Sequence, residues 1–266
     1  MISFTKTCIK HRNLIKHLVK KEIKLRYRGS FLGFFWTLLD PLFMIVILLL
    51  VFTKLFRYDL ENYPSYLLIG IFVWNYFSDA TLGGLYSLAA NANLVIKSTV
   101  PRESVVLSSN IFSLFDFIFK FTVLSVVLFI LKFALAWPSL VSITTVLAFV
   151  PVVILLQATL ILGLSLILSA VYLYFKDISN LWGVFLHIGF FITPIFYPIG
   201  IIPKKYTLML WLNPMYHIIN CYRSLVLDGR FPGLSSFFIA VIFSLCILIL
   251  GIFIFRKFRA EESYTF

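Results

Sequence analysis

Residues Leu18–Leu42 read LVKKEIKLRYRGSFLGFFWTLLDPL. The first part is basic and helix-patterned. After Gly29 and Gly33 it turns, within a few residues, into an unbroken apolar run. A basic amphipathic helix that leads directly into a membrane-spanning helix is what this order of residues encodes. The remainder of the chain extends the same plan and never supplies a polar domain large enough to do chemistry in water.

Outward from that stretch, residues 5–28 arrange on a helical wheel with two faces. Leu14, Ile15, Leu18, Val19, Ile23 and Leu25 fall in one half, and Lys10, Lys16, His17, Lys20, Lys21 and Lys24 in the other. Glu22 and Arg26 stand among the apolar residues four apart, a spacing that lets them pair. Composition agrees with a membrane protein: 61% of the residues are hydrophobic, 18% aromatic and only 13% charged. The mean hydropathy is +0.99, and a soluble domain carries about 25% charged residues. The net charge of +12 raises the question of nucleic acid, but its location answers it. Nine of the 23 Lys and Arg lie in residues 1–28 and three follow the last apolar run, the distribution that flanks of spans adopt without nucleic acid. Cys8, Cys221 and Cys246 have no CxxC spacing, so neither a disulfide framework nor a metal site is expected. No cleavable signal peptide is expected either, because the N-terminus is basic and the first apolar run starts late.

The apolar runs predict an all-α polytopic protein of six transmembrane helices. An amphipathic interface helix occupies residues 1–30 and a transmembrane domain residues 31–266. The spans lie at about Phe31–Phe56, Tyr66–Ala90, Val105–Phe133, Leu140–Phe175, Leu181–Tyr197 and Leu234–Phe255. The fourth run is too long for one upright helix and predicts a tilt or a break near Pro151. Between the last two, Ile199–Gly229 is apolar but interrupted by Pro203, Lys204, Lys205, Asn213-Pro214, Arg223 and Asp228. Two short re-entrant helices suit that pattern, since broken backbone is tolerated at membrane depth where protein buries it. Six spans put both termini on one side, where 15 Lys and Arg fall against 7 on the other. That asymmetry predicts cytoplasmic termini.

Candidates for chemistry are few. The four histidines are scattered, with no HxxxH or HExxH pattern, and nothing resembles GxxxxGK[ST]. The chain therefore holds no nucleotide site of its own, and energy from ATP would have to come from another polypeptide. Asp79, Asp116 and Lys120 are the intramembrane charges. Asp116 and Lys120, four apart, can neutralise each other, and Asp79 can bond a neighbouring helix. Phe35, Trp36, Trp74 and Tyr76 are candidates to line a passage, because sugar rings stack on aromatic faces; interfacial belts are the plainer reading.

Several short motifs in order carry a resemblance. They are Lys24-Leu25-Arg26-Tyr27-Arg28-Gly29-Ser30 with Leu32-Gly33, then Trp36, Leu39 and Pro41. Asn93-Leu94-Val95-Ile96-Lys97, Pro101-Arg102-Glu103 and Lys176-Asp177-Ile178 follow, with Thr193-Pro194-Ile195-Phe196-Tyr197-Pro198, Asn213-Pro214 and Tyr222-Arg223. Over nearly its whole length the chain resembles the permease subunit of ABC-2-type polysaccharide exporters, which include O-antigen, capsule and teichoic-acid exporters. The resemblance implies a homodimer in the cytoplasmic (inner) membrane that docks a separate nucleotide-binding ATPase, with ATP and Mg on that partner. It implies a coupling helix at about 91–104, with Lys97, Pro101, Arg102 and Glu103 as contacts. It also implies a lipid-linked polysaccharide as cargo, whose phosphates Lys24, Arg26, Tyr27 and Arg28 could meet. The competing readings are an ABC-2 exporter of teichoic acid, a drug or a small lipid, a membrane-embedded glycosyl- or acyltransferase, and a non-catalytic scaffold.

Overall fold

A computed structural model describes residues 10–26, 36–50, 63–97, 100–134, 145–199 and 202–262. Tyr27, Arg28 and Phe35, and much of the first inter-span loop, lie outside the described residues. Among the described residues the chain is helical, without strands. In order the helices are α1 (Arg12–Arg26), α2 (Trp36–Leu50), α3 (Tyr63–Ala90), α4 (Ala92–Lys97), α5 (Arg102–Ala134), α6 (Val150–Tyr174) and α7 (Ile178–Ile192). The short α8 (Thr207–Trp211), then α9 (Pro214–Val226) and α10 (Leu234–Glu262) complete the chain.

Among the described residues three segments, Arg102–Ile130, Thr145–Tyr174 and Leu234–Phe258, are long and apolar enough to cross a membrane. They belong to α5, α10 and α6 with the turn before it. Helix α3 has 28 residues, about 42 Å at 1.5 Å per residue. It carries Asn75, Ser78, Asp79 and Thr81 in its middle. Near Pro151 the fourth run changes from a 3₁₀ turn, Thr145–Phe149, into α6 without interruption, with Pro151 in the first turn where its missing N–H costs nothing. The fifth run is shorter than its apolar stretch. Helix α7 ends at Ile192 because Pro194 drives Thr193 into an extended conformation, ψ 131°. Beyond it, two short helices, α8 and α9, fill the interrupted region. Asn213 caps α9 by accepting from the amides of Met215 and Tyr216, with Pro214 at its first position.

Helix α3 is the hub, packed against α5, α6, α7 and α9. Where lipid replaces water, helices gain little from hiding apolar surface from one another, so small residues that allow close approach decide the seams. At the α6–α10 seam, a Cβ on Gly163 would lie 2.6 Å from the amide nitrogen of Leu248, and one on Gly251 would strike the Gly163 carbonyl. At the α3–α6 seam Gly84 accommodates Ser165, whose hydroxyl donates to Asn110 Oδ1 of α5 at 3.1 Å. Gln157 of α6, fully buried, donates to the Val73 carbonyl at 2.8 Å and accepts from Tyr222 of α9 at 3.0 Å. Three helices thereby satisfy one buried amide.

Helix α1 lies across one end of this bundle. Ile15, Leu18 and Val19 are buried, Leu18 in a cluster with Leu88, Val105, Val106, Leu166, Ala170, Ile252 and Phe255. Burying each such side chain contributes about 1.5–3 kcal/mol. Ile23 and Leu25, on the same predicted face, are exposed.

Candidate functional site

Where the last turn of α1 meets α2, α3 and α5, the helices line an open cavity of about 760 Å³. Its walls follow helical spacing. Helix α5 contributes Ser109, Ser113, Asp116 and Lys120, steps of four, three and four residues that form one polar stripe, with Phe112 and Phe117 beside it. Helix α3 contributes Phe72, Asn75, Tyr76, Asp79 and Gly83, α2 contributes Met44, and α1 contributes Glu22, Leu25 and Arg26. Asn75 and Asp79 stand out as exposed positions within the otherwise buried middle of α3.

Two cations converge on one carboxylate oxygen. Lys120 Nζ lies 3.1 Å from Asp116 Oδ2, as the four-residue spacing predicts. Arg26 Nη1 reaches the same oxygen from α1 at 3.3 Å. Its guanidinium also lies over the Phe112 ring, 5.4 Å from the centroid, a favourable cation–π placement. The pairing of Arg26 with Glu22 expected from local spacing does not form, because the bundle offers Arg26 a better-placed carboxylate 90 residues away in sequence. Glu22 faces the cavity instead; burial pushes its carboxyl up to about 7, against the pull of the Lys21 ammonium.

The aromatic candidates separate. Tyr76 lines the cavity, stacked on Phe117 with centroids 4.3 Å apart and planes 10° from parallel. Trp74 turns away, buried against Phe77 and Phe190, and Gly189 of α7 makes room for it: a Cβ there would sit 2.9 Å from the indole. Trp36 begins α2 and is exposed.

The connection after α3 stands beside the same end of the bundle. Asn91 is held by its own side chain to the Ser87 carbonyl at 2.9 Å, and its Oδ1 accepts from Lys21 of α1 at 2.8 Å. Helix α4 then presents Ile96, 81% exposed, next to Lys97, whose side chain lies outside the described residues. Pro101 and Arg102 are half-buried, and Glu103 is buried, 5% exposed, in the first turn of α5. Lys24 is exposed on α1.

At the opposite end of α3 a second polar assembly holds the segment after α7. Arg223 of α9, 6% exposed, donates to the carbonyls of Pro194 at 2.8 Å, Ile195 at 2.9 Å and Tyr66 at 3.2 Å. The hydroxyls of Tyr63 and Tyr66 donate to the Phe196 and Tyr197 carbonyls. Residue types alone do not single out this assembly. The cavity's polar stripe, in contrast, was open to detection from the spacing of Ser109, Ser113, Asp116 and Lys120.

Comparison with known proteins adds a lineage to this geometry. The profile of the ABC-2 type transporter family matches residues 13–227. The chain is 31% identical over 264 residues to the O-antigen export system permease protein RfbA of Myxococcus xanthus, covering 98% of each. A protein of the same name from Klebsiella pneumoniae is 28% identical, over 94% of each chain. The polysialic acid transport protein KpsM of Escherichia coli is 26% identical, over 94% of this chain and 95% of that one.

Proposed function

The chain belongs to the ABC-2 type transporter family, and from that premise we propose that it is the permease subunit of an ATP-driven exporter of lipid-linked polysaccharide. The observation that carries this reading is the end-to-end relationship to permeases named for O-antigen export, over 98% of both chains. In this reading the chain works as a homodimer in the cytoplasmic membrane, with both termini cytoplasmic and six spans: α2, α3, α5, α6, α7 and α10. Helices α8 and α9 are the re-entrant pair. ATP and Mg belong to a separate ATPase chain.

The residues divide the work as follows. Helix α1 lies on the cytoplasmic membrane surface, where its lysines meet anionic lipid and Arg26 reaches into the cavity. A phosphate-bearing lipid head enters there, because Arg26 and Lys120 supply donors to phosphate oxygens. Tyr76 and Phe117, stacked on each other and buried, form a rigid apolar wall beside the path of the sugar that follows. The segment 91–104 meets the ATPase through Ile96, Lys97 and Arg102. Glu103, being buried, positions that segment instead of touching the partner.

The test is a tagged pull-down in mild detergent followed by an ATPase assay with and without lipid-linked polysaccharide. A P-loop subunit that co-purifies in equal amount and is stimulated by the glycolipid supports the reading. A permease that arrives alone and binds no glycolipid overturns it.

A further inference from the structure

The ion triad joins the interface helix to the bundle in an unusual way. Two cations from two helices, Arg26 of α1 and Lys120 of α5, share the single oxygen Asp116 Oδ2. Asp116 is 11% exposed, Lys120 18% and Arg26 42%. The arginine is thus the most exposed member of the triad, and all three line the cavity. The first half of α1 is seated by Ile15, Leu18 and Val19. Its last turn is held by Arg26, through Asp116 and Phe112, while Ile23 and Leu25 of that turn are exposed. One turn before Arg26, Lys21 bonds Asn91, the residue that opens the coupling segment.

We infer that the Arg26–Asp116 pair is a substrate-responsive latch, opened by a phosphate-bearing lipid head that takes Arg26 from Asp116. A phosphate group offers the guanidinium two oxygens in fork geometry where Asp116 offers one oxygen already shared with Lys120. The exchange conserves charge pairing: Asp116 keeps Lys120, and Arg26 keeps an anion. With Arg26 gone from α5, the last turn of α1 is free to lift from the bundle. Lys21 passes that displacement to Asn91 and so to the segment proposed to face the ATPase. Cavity occupancy is then signalled to the ATPase side before any transport step. This inference rests on the export reading above and adds a way for cargo to be sensed.

The experiment measures the α1–α5 distance in the full-length permease reconstituted in vesicles. Spin labels are placed at I23C and F115C, both exposed and outside the cavity lining, after Cys8, Cys221 and Cys246 are replaced by Ser. The expected result is a single short distance without ligand. A second, longer population appears when the vesicles contain a polyprenyl pyrophosphate, and not with the polyprenol of equal length. D116N shows the longer population without ligand and binds the pyrophosphate lipid about tenfold tighter, because the competing carboxylate charge is gone. R26Q, still seated by Ile15, Leu18 and Val19, shows the longer population throughout and responds to nothing. Inorganic pyrophosphate that produces the same shift assigns the latch to the headgroup alone; a shift with the polyprenyl form only assigns it to the membrane-borne head. A wild-type distance unchanged while the lipid demonstrably binds overturns the latch and leaves the export reading intact. A short distance in R26Q also overturns it, and absence of lipid binding to the permease removes both.

Discussion

The guanidinium of Arg223 lies flat over the ring of Tyr66, 3.3 Å from its centroid, and donates past the ring edge to the carbonyls of Tyr66, Pro194 and Ile195. The cation needs no carboxylate there, because three main-chain carbonyls and an aromatic face share its charge. The arrangement also explains Gly70: a Cβ at that position would lie 2.7 Å from Arg223 Nη2. One side chain thus ties the start of α3, the extended turn after α7 and the helix α9.

From this follows the first prediction. R223A removes the donors that Arg223 gives to the Pro194, Ile195 and Tyr66 carbonyls together with its contact to the Tyr66 ring, and is expected to destabilise the permease by about 3 kcal/mol. R223K recovers less than half of that, since an ammonium can neither stack nor span the carbonyls as a planar fork does. Thermal unfolding in detergent measures both, and equal stability of R223K and wild type would refute the assignment.

The glycine seams give a second prediction with a built-in control. G251A forces a methyl into the Gly163 carbonyl across the α6–α10 seam and is expected to cost about 1–3 kcal/mol. G183A, inside α7 with nothing within 4 Å of its added Cβ, gains helix propensity and is expected to stabilise by about 0.5–1 kcal/mol. Midpoints of thermal unfolding of the two variants should move in opposite directions.

Glu22 supplies a pH dependence. Its ordinary value of 4.5 is raised by burial to about 7. The folded chain therefore holds a proton that the unfolded chain releases between these values, so stability is greatest on the acid side and declines as pH rises through 7. Arg26 of α1, Asp79 of α3, and Asp116 and Lys120 of α5 line the same space, and the neighbouring Lys21 ammonium opposes the rise. E22Q removes the titrating group. Its unfolding midpoint between pH 5.5 and 8.5 is expected to fall less than that of the wild type, and parallel curves would contradict the protonation.

Much of this architecture was legible because it is local. The seating of α1 through Ile15, Leu18 and Val19 and the Asp116–Lys120 pair each depend on residues within a turn or two. What stayed hidden depends on distant segments meeting. Arg26 has Glu22 four residues away, yet a carboxylate 90 residues on wins it, and no local spacing reports that competition. Arg223 reads as an interruption of an apolar stretch until α3 and the turn after α7 are brought to it. Glu103 illustrates the converse error. An acid in the first turn of a helix is favoured by the helix dipole and reads as exposed, but packing around the start of α5 buries it.

That burial changes how the proposed ATPase contact should be probed. Replacing Glu103 perturbs the fold, so a loss of activity in such a variant would not report on docking. Ile96 is the better probe: 81% exposed near the end of a six-residue helix, it is little packed among the described residues yet presents a large apolar side chain. Isolated apolar residues of this kind become anchors when they fill a pocket on a partner. I96D is expected to leave the unfolding midpoint within about 0.5 kcal/mol of wild type, as for other surface changes. Lipid-stimulated ATPase activity of the assembled complex is expected to fall by about tenfold or more, the loss of a single anchor of 1.4 kcal/mol or above. R102A, at a half-buried neighbour, is expected to give a smaller loss. Wild-type stimulation in I96D would move the contact away from α4 and toward the exposed lysines of α1.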